Sequence, residues 1–468
     1  MNIKIIKNIS ALALGELVTR TLGLVLVIYL ARYLGETGFG RYSFAFAFTS
    51  LFLVVTDLGM NTVIIRDIAR EKTLVGRYIG NVLVLRGLLS LISFSLIAVV
   101  INLMGYPAET RMAVYIVGIY TIITSFSQLT RSVFRAFEKM EYEALLNIME
   151  RLIFVSLGIL VLVLGYGLIE VVSVFLIAGA VNVLLSFHLT KRKFAVAKLE
   201  ADRELWKYLI GEGLPFGIAF IFINVYIKVD TVILSSLKGD AVVGWYNAAY
   251  QIPLAISLIS YAMMESIFPM FSRLGNSREE LTLAYEKTFR FLSMLIIPVV
   301  AGITLLSDKI IFILYGRGYE NSITILQILI WLTVFEFLGY LLYITLSSIN
   351  KQRVNILTTG TCAVLNITLN LILIPPFSLI GAGIAKIITY IVFFFLNFYF
   401  VSKYVCRVSI YRAINRPVIA SLAMGVVLFF MNDLNIFVLV PLAGSFYMTV
   451  LYLVKGFSKE DLKLIYNL

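Results

Sequence analysis

The residues of this chain that could do chemistry are ionisable side chains set inside long apolar stretches. Arg20, Arg86 and Arg151 are the deepest cations, and Asp57 and Glu336 are the deepest acids. At ~1.5 Å rise per residue, Arg20 lies near the middle of its stretch, and Arg86 and Arg151 lie roughly a third of the way in. A charge in hydrocarbon is costly, so it faces a protein interior or a wet cavity. Two readings follow. In the first, each arginine is neutralised structurally; Glu16 lies four residues before Arg20 on the same helical face. In the second, the three guanidiniums form one cationic cavity wall, whose forked donors suit a phosphate-bearing anion. Asp57 and Glu336 could carry a coupling proton or sodium ion, or could simply partner buried arginines. Arg131, Lys228, Asp230 and Glu265 fall near stretch ends, where long side chains reach water, and Lys386 is intermediate.

Other chemistries find no support. The single histidine, His188, stands at the end of its stretch as an interfacial residue. With only Cys362 and Cys406 beside it, it cannot supply a zinc or haem ligand set, so no metal site is expected. There is no phosphate-cradling loop of the P-loop type. No cofactor is implied, and no constellation of nucleophile and base suggests an enzyme.

The elements that hold these charges are fourteen apolar runs, near 10–33, 42–65, 79–103, 112–134, 145–166, 168–189, 209–236, 245–271, 288–308, 322–349, 355–375, 379–402, 415–431 and 435–454. Each approaches the ~20 residues that a spanning helix needs. The chain is 60% hydrophobic and 14% charged, and its runs are continuous rather than alternating, which excludes a membrane β-barrel. The expected fold is an all-α polytopic membrane protein of fourteen transmembrane helices. The start of the chain shows no cleavage site, so the first helix is expected to target and anchor. With the N-terminus inside and the helices alternating, inner segments hold 27 of the 39 Lys and Arg residues and outer segments six. That asymmetry obeys the positive-inside rule and puts both termini in the cytoplasm of a cell-membrane protein. The net charge of +12 is therefore a topology signal, helped by anionic membrane lipids, and not a nucleic-acid footprint.

An internal repeat organises the chain. At an offset of 204 residues, Gly35-Glu36, Gly40, Tyr42 and Ala45 match Gly239-Asp240, Gly244, Tyr246 and Ala249. Both sets sit on the turn between the first two helices of a six-helix lobe. Parallel repeats about an axis along the membrane normal are expected. The lobes are 1–190 and 209–402, joined by a basic linker at 191–208, with two further helices and a tail at 403–468. Gly40, Tyr42, Asp230, Gly244 and Tyr246 read as structural. Gly211, Gly213, Pro215 and Gly217 crowd the start of the seventh helix, where a hinge is expected to bend or unwind.

Several segments resemble the Wzx-type polysaccharide-export flippases of the MATE-like multidrug/oligosaccharidyl-lipid/polysaccharide exporter superfamily. They are Tyr33-Leu34-Gly35-Glu36-Thr37-Gly38-Phe39-Gly40-Arg41-Tyr42, Val229 to Leu234 with Val243 to Ala249, Tyr315 to Tyr319, and Asn366 to Asn370 with Pro375 and Gly381 to Ala385. The resemblance implies a transporter that carries a polyprenyl- or dolichyl-phosphate-linked oligosaccharide from the inner to the outer leaflet by alternating access. Such a transporter would work with glycan-assembly proteins and could draw on a proton or sodium gradient. The last two helices would line a groove for the lipid tail. A MATE-type drug exporter shares the architecture but would favour twelve helices and an acid-rich first lobe. A membrane glycan polymerase or ligase would need a large charged outer loop.

Overall fold

The computed structural model describes residues 3–194, 198–275, 277–405, 409–431 and 433–456, apart from the side chains of 3–14, 16, 17 and 265. Cys406, the tail beyond 456 and the Glu16 side chain expected beside Arg20 lie outside the described residues. Every regular element among them is helical. In lipid each backbone N–H and C=O must be bonded within the protein, and a continuous apolar run achieves this alone only as a helix. In order the helices are α1 (Ile3–Asp57), α2 (Met60–Arg70), α3 (Val75–Leu103), α4 (Ala108–Ala136), α5 (Met140–Val163), α6 (Leu168–Lys193), α7 (Arg203–Lys238) and α8 (Asp240–Leu274). They continue as α9 (Arg278–Leu305), α10 (Ser307–Leu314), α11 (Asn321–Leu329), α12 (Leu332–Ser348), α13 (Gln352–Tyr404), α14 (Ile410–Phe430) and α15 (Ile436–Leu453).

Twelve helical spans among the described residues are long and apolar enough to cross a bilayer, so the chain is a multi-pass membrane protein. Two helices are overlong. α1 has 55 residues and α13 has 53, each about 80 Å at ~1.5 Å per residue, against a ~30 Å hydrocarbon core. Each is bent at one residue with positive φ, Gly35 in α1 and Ser378 in α13. Ser378 follows Pro375 and Pro376, which withhold two backbone donors. Fourteen crossings require both bent helices to cross twice. The run expected as one helix over 42–65 is itself interrupted, because Leu58 and Gly59 both take positive φ between α1 and α2.

The chain gathers into two compact units, 1–247 and 248–468. In the first, α1 packs on α5 and α7, and α4 on α6. One core knits α2, α3, α4 and the start of α7 through Ile64, Ile68, Val82, Val133 and Leu209. Another joins Phe44, Phe48, Ile97, Val117 and Val172. In the second unit, α12 packs on α13, and α14 and α15 close over α9 through Met424, Leu428, Leu439 and Leu451. Compactness groups α7 with the helices before it, whereas the repeat begins a new lobe there. The two criteria measure different things.

The repeated turns meet. A Cβ on Gly40 would overlap the carbonyl oxygen of Asp240, and a Cβ on Gly244 would overlap that of Glu36. At the offset of 204, Gly40 corresponds to Gly244 and Glu36 to Asp240, so the two contacts are copies of each other. Such reciprocity is what a two-fold axis produces. Arg41 adds a hydrogen bond from Nε to Asp240 Oδ2 at 2.9 Å and an ion pair with Glu109.

Candidate functional site

Inside the first unit lies a cavity of about 330 Å³ whose wall includes Arg20, Arg131, Arg151 and Glu150. Three helices supply it by simple periodicity. α5 contributes Asn147, Glu150, Arg151 and Phe154, and α4 contributes Tyr120, Thr124, Gln128 and Arg131. Spacings of three and four place each set on one helical face; α1 adds Thr19 and Arg20. Arg151 lies over the Phe154 ring, 4.8 Å from its centre, where the ring's negative face favours the cation. Opposite it α1 carries Gly23, whose missing Cβ would stand 3.1 Å from the Arg151 guanidinium. Arg131 donates to Glu150 Oε2 at 3.3 Å, and the Tyr120 hydroxyl donates to Oε1 at 3.3 Å. Three guanidiniums thus face one carboxylate, a wall of net positive charge.

Of the arginines expected on one wall, Arg20 and Arg151 share it and Arg86 does not. Arg86 is fully buried and donates to Asp57 Oδ1 at 2.5 Å, to Asn61 Oδ1 at 3.0 Å and to the Ser125 carbonyl. It joins α3 to the α1–α2 break and to α4, and Asp57 is its counter-charge. Arg131, which its sequence position assigned to an exposed helix end, is the third cation of the cavity. The polar stripe on α4 is the signal that would have found it.

Asp57 borders a second cavity of about 410 Å³, which shares Gln128 and Arg131 with the first. Glu336 lies in the second unit on α12, where the Tyr261 hydroxyl donates to it at 3.1 Å and the Ser257 hydroxyl also donates. Lys386 is near enough to interact with it electrostatically, and its ammonium sits 4.6 Å from the Tyr250 ring centre. Asp230 is buried and accepts a hydrogen bond from the Tyr246 hydroxyl. Tyr42 packs among Phe39, Phe46 and Phe175.

The glycine- and proline-rich start of the seventh helix is helical in this structure. Arg203–Lys238 is one continuous helix with Pro215 inside it. Gly213 and Gly217, about one turn apart, bring it against the break in its neighbour. A Cβ on Gly213 would stand 2.9 Å from the Leu58 oxygen, and one on Gly217 2.8 Å from the Leu58 carbonyl carbon. These glycines serve close approach.

Below this contact, Asp67 gathers α2, α3 and α7. It accepts from Arg66 Nε at 2.9 Å and from the hydroxyls of Tyr78 and Tyr208 at 3.0 Å each. Burial opposes the Asp67 charge, but these three donors and the Arg66 charge outweigh it and hold the carboxyl below the usual carboxylate range. A depressed folded value means that the stabilisation is complete above the unfolded value of about 4 and is lost as pH falls through the folded one. Asp67→Asn is therefore expected to lower stability at pH 7 by roughly 2 kcal/mol. Thermal unfolding in detergent at pH 7 and below pH 4 checks this, and the gap between wild type and variant should narrow in acid.

A "Probable low-salt glycan biosynthesis flippase Agl15" of Haloferax volcanii is 26% identical over 408 residues, covering 86% of this chain and 84% of that one. A "Putative O-antigen transporter" of Shigella flexneri is 23% identical, covering 81% of this chain and 94% of that one. Among solved structures, an inward closed lipid II flippase MurJ superposes with a TM-score of 0.79 at 16% identity, over 94% of this chain and 97% of that one. An inward-facing MATE multidrug transporter superposes at 0.67 with 19% identity, over 82% and 95%. These two likenesses describe the fold. Residues 5–275 match the family described as polysaccharide biosynthesis protein, and with more than half its length inside that match the chain belongs to this family.

Proposed function

We propose that the chain is a flippase for a lipid-linked oligosaccharide, with the phosphate or diphosphate between polyprenyl or dolichyl lipid and sugar held by Arg20, Arg131 and Arg151. The observation that carries this is the shared cavity, where three forked cations face a single carboxylate. A lipid phosphate crossing a bilayer must exchange its water for such donors. The relatives named as a glycan biosynthesis flippase and an O-antigen transporter support the same substrate class. The positive-inside asymmetry supports a cell-membrane location with both termini cytoplasmic and transport from inner to outer leaflet. The glycan would come from assembly proteins on the inner face.

The chain carries no nucleotide-binding loop, so a proton or sodium gradient is the proposed drive. Asp57 is engaged by Arg86. Glu336, held by two hydroxyls, is the better site for a coupling proton. Cation-coupled drug export is the rival reading, and a cavity with three guanidiniums repels the organic cations that such exporters carry.

The test is translocation of a fluorescent lipid-linked oligosaccharide in proteoliposomes, read by protection from a membrane-impermeant quencher. Arg20→Ala and Arg151→Ala are each expected to slow flipping ~10–100-fold, the loss of a charge-assisted contact worth roughly 1.5–3 kcal/mol, with insertion and melting unchanged. Wild-type rates in both variants would remove the phosphate site, and export of a cationic dye would favour the rival.

A further inference from the structure

The two cavities of the first unit differ in charge, and the difference assigns them different ligands. The cavity around Arg20 and Arg151 is cationic. Its neighbour of about 410 Å³ carries Asp57, Arg131, Arg135 and Glu143 on its wall, two acids against two cations, and each of them is held in an ion pair. Arg135 grips Glu143 through two hydrogen bonds, of 2.8 and 2.6 Å, Asp57 holds Arg86, and Arg131 is held by Glu150 of the first cavity. What remains is neutral and polar: Asn61, Gln128, Ser132 and Asn224, beside the ring of Phe220.

We infer that this neighbouring cavity is the carbohydrate subsite, holding the sugar next to the phosphate; the inference rests on the flippase reading above. A pyranose ring has an apolar C–H face and a rim of hydroxyls that both donate and accept. Its natural receptor is an aromatic plate beside amides, which also do both. α7 supplies that pairing. Phe220 and Asn224 are four residues apart and share a helical face. Phe220 is 47% exposed and lines this cavity. Asn224 donates one amide hydrogen to the Phe220 carbonyl at 3.0 Å, and its amide oxygen remains as an acceptor. The volume falls within the roughly 300–1,000 Å³ of small-molecule sites.

The two cavities meet at Gln128 and Arg131, which line both. These residues are about one helical turn apart on α4. A phosphate at Arg131 therefore places the first sugar beside Gln128, with Phe220 and Asn224 across from it. The glycosidic linkage thus lies at the junction, with the lipid-side phosphate on the Arg20 and Arg151 side. Preference for the sugar is a property of α7, and grip on the phosphate is a property of α1, α4 and α5.

The experiment measures binding of two probes to the full chain in nanodiscs: bare polyprenyl diphosphate and the same lipid carrying one neutral hexose. Wild type is expected to bind the hexosyl lipid at least tenfold more tightly. Phe220→Ala with Asn224→Ala should abolish that preference while leaving affinity for the bare lipid unchanged. Phe220→Leu keeps an apolar side chain in case the double variant fails to fold, and should reduce the preference alone. Arg151→Ala should weaken both probes alike. Equal affinity of wild type for both probes, or an equal loss of both in the α7 variants, would overturn the subsite while the phosphate site stands. Failure of wild type to bind either probe would overturn the flippase reading itself.

Discussion

Gly40→Ala is expected to leave little folded protein. The new methyl group would occupy the space of the Asp240 carbonyl oxygen, with the Asp240 carbon at 2.7 Å and the Gly244 nitrogen at 3.0 Å. All three atoms are backbone, so no rotamer change relieves the clash. Overpacking against side chains costs about 1–3 kcal/mol; a rigid backbone contact belongs with the exceptional cases above about 4 kcal/mol. Gly244→Ala should fail equally, because its methyl meets the Glu36 carbonyl in the same way. Gly87→Ala is the control. That glycine is inside α3 with no atom within 4 Å of its Cβ position, so alanine there should be neutral or add about 0.5–1 kcal/mol. Size-exclusion profiles and melting of fluorescent fusions of the three variants decide the matter, and a normal profile for Gly40→Ala would refute the contact.

The second large effect is expected at Arg86. Removing one partner of a fully buried ion pair costs about 3–5 kcal/mol; Arg86 is fully buried and Asp57 is 16% exposed at its cavity, so the cost here falls toward the lower end. Arg86→Leu should therefore melt far below wild type. Adding Asp57→Asn removes the stranded charge while keeping an oxygen for the Asn61 backbone N–H, which lies 3.3 Å from Asp57 Oδ1. The double variant should recover most of the loss. If Arg86 instead gripped substrate, Arg86→Leu would melt normally and lose only transport, and Asp57→Asn would rescue nothing.

Arg86 also shows where sequence reading stops. Depth along a run is legible from the number of residues on either side, so Arg20, Arg86 and Arg151 all stand out as deep cations. Whether a buried arginine meets an acid on another helix depends on pairings tens of residues apart, and nothing near Arg86 in the chain points to Asp57. Arg131 was overlooked because its distance from the helix end suggested exposure, although Tyr120, Thr124 and Gln128 on the same face mark it as inward. The glycines at 213 and 217 show the same limit. Small residues permit both bending and close packing, and only the presence of the Leu58–Gly59 break opposite them decides which. The repeat was legible because it is a pattern of identities at fixed offset, and the structure turned it into a contact.

That contact has a consequence for how freely the two turns can differ. Two copies of one turn seated on each other would, in separate identical molecules, dock around a dyad. Fusion into one chain makes the encounter intramolecular, at an effective concentration set by the connecting segment, and frees each copy to vary alone. Position 230 holds a buried aspartate that the Tyr246 hydroxyl bonds, while its counterpart, Leu26, is a buried hydrocarbon. A homodimer would have had to place the same residue at both positions; the fused chain keeps an acid on one side and sets Arg20 and Arg151 in the other.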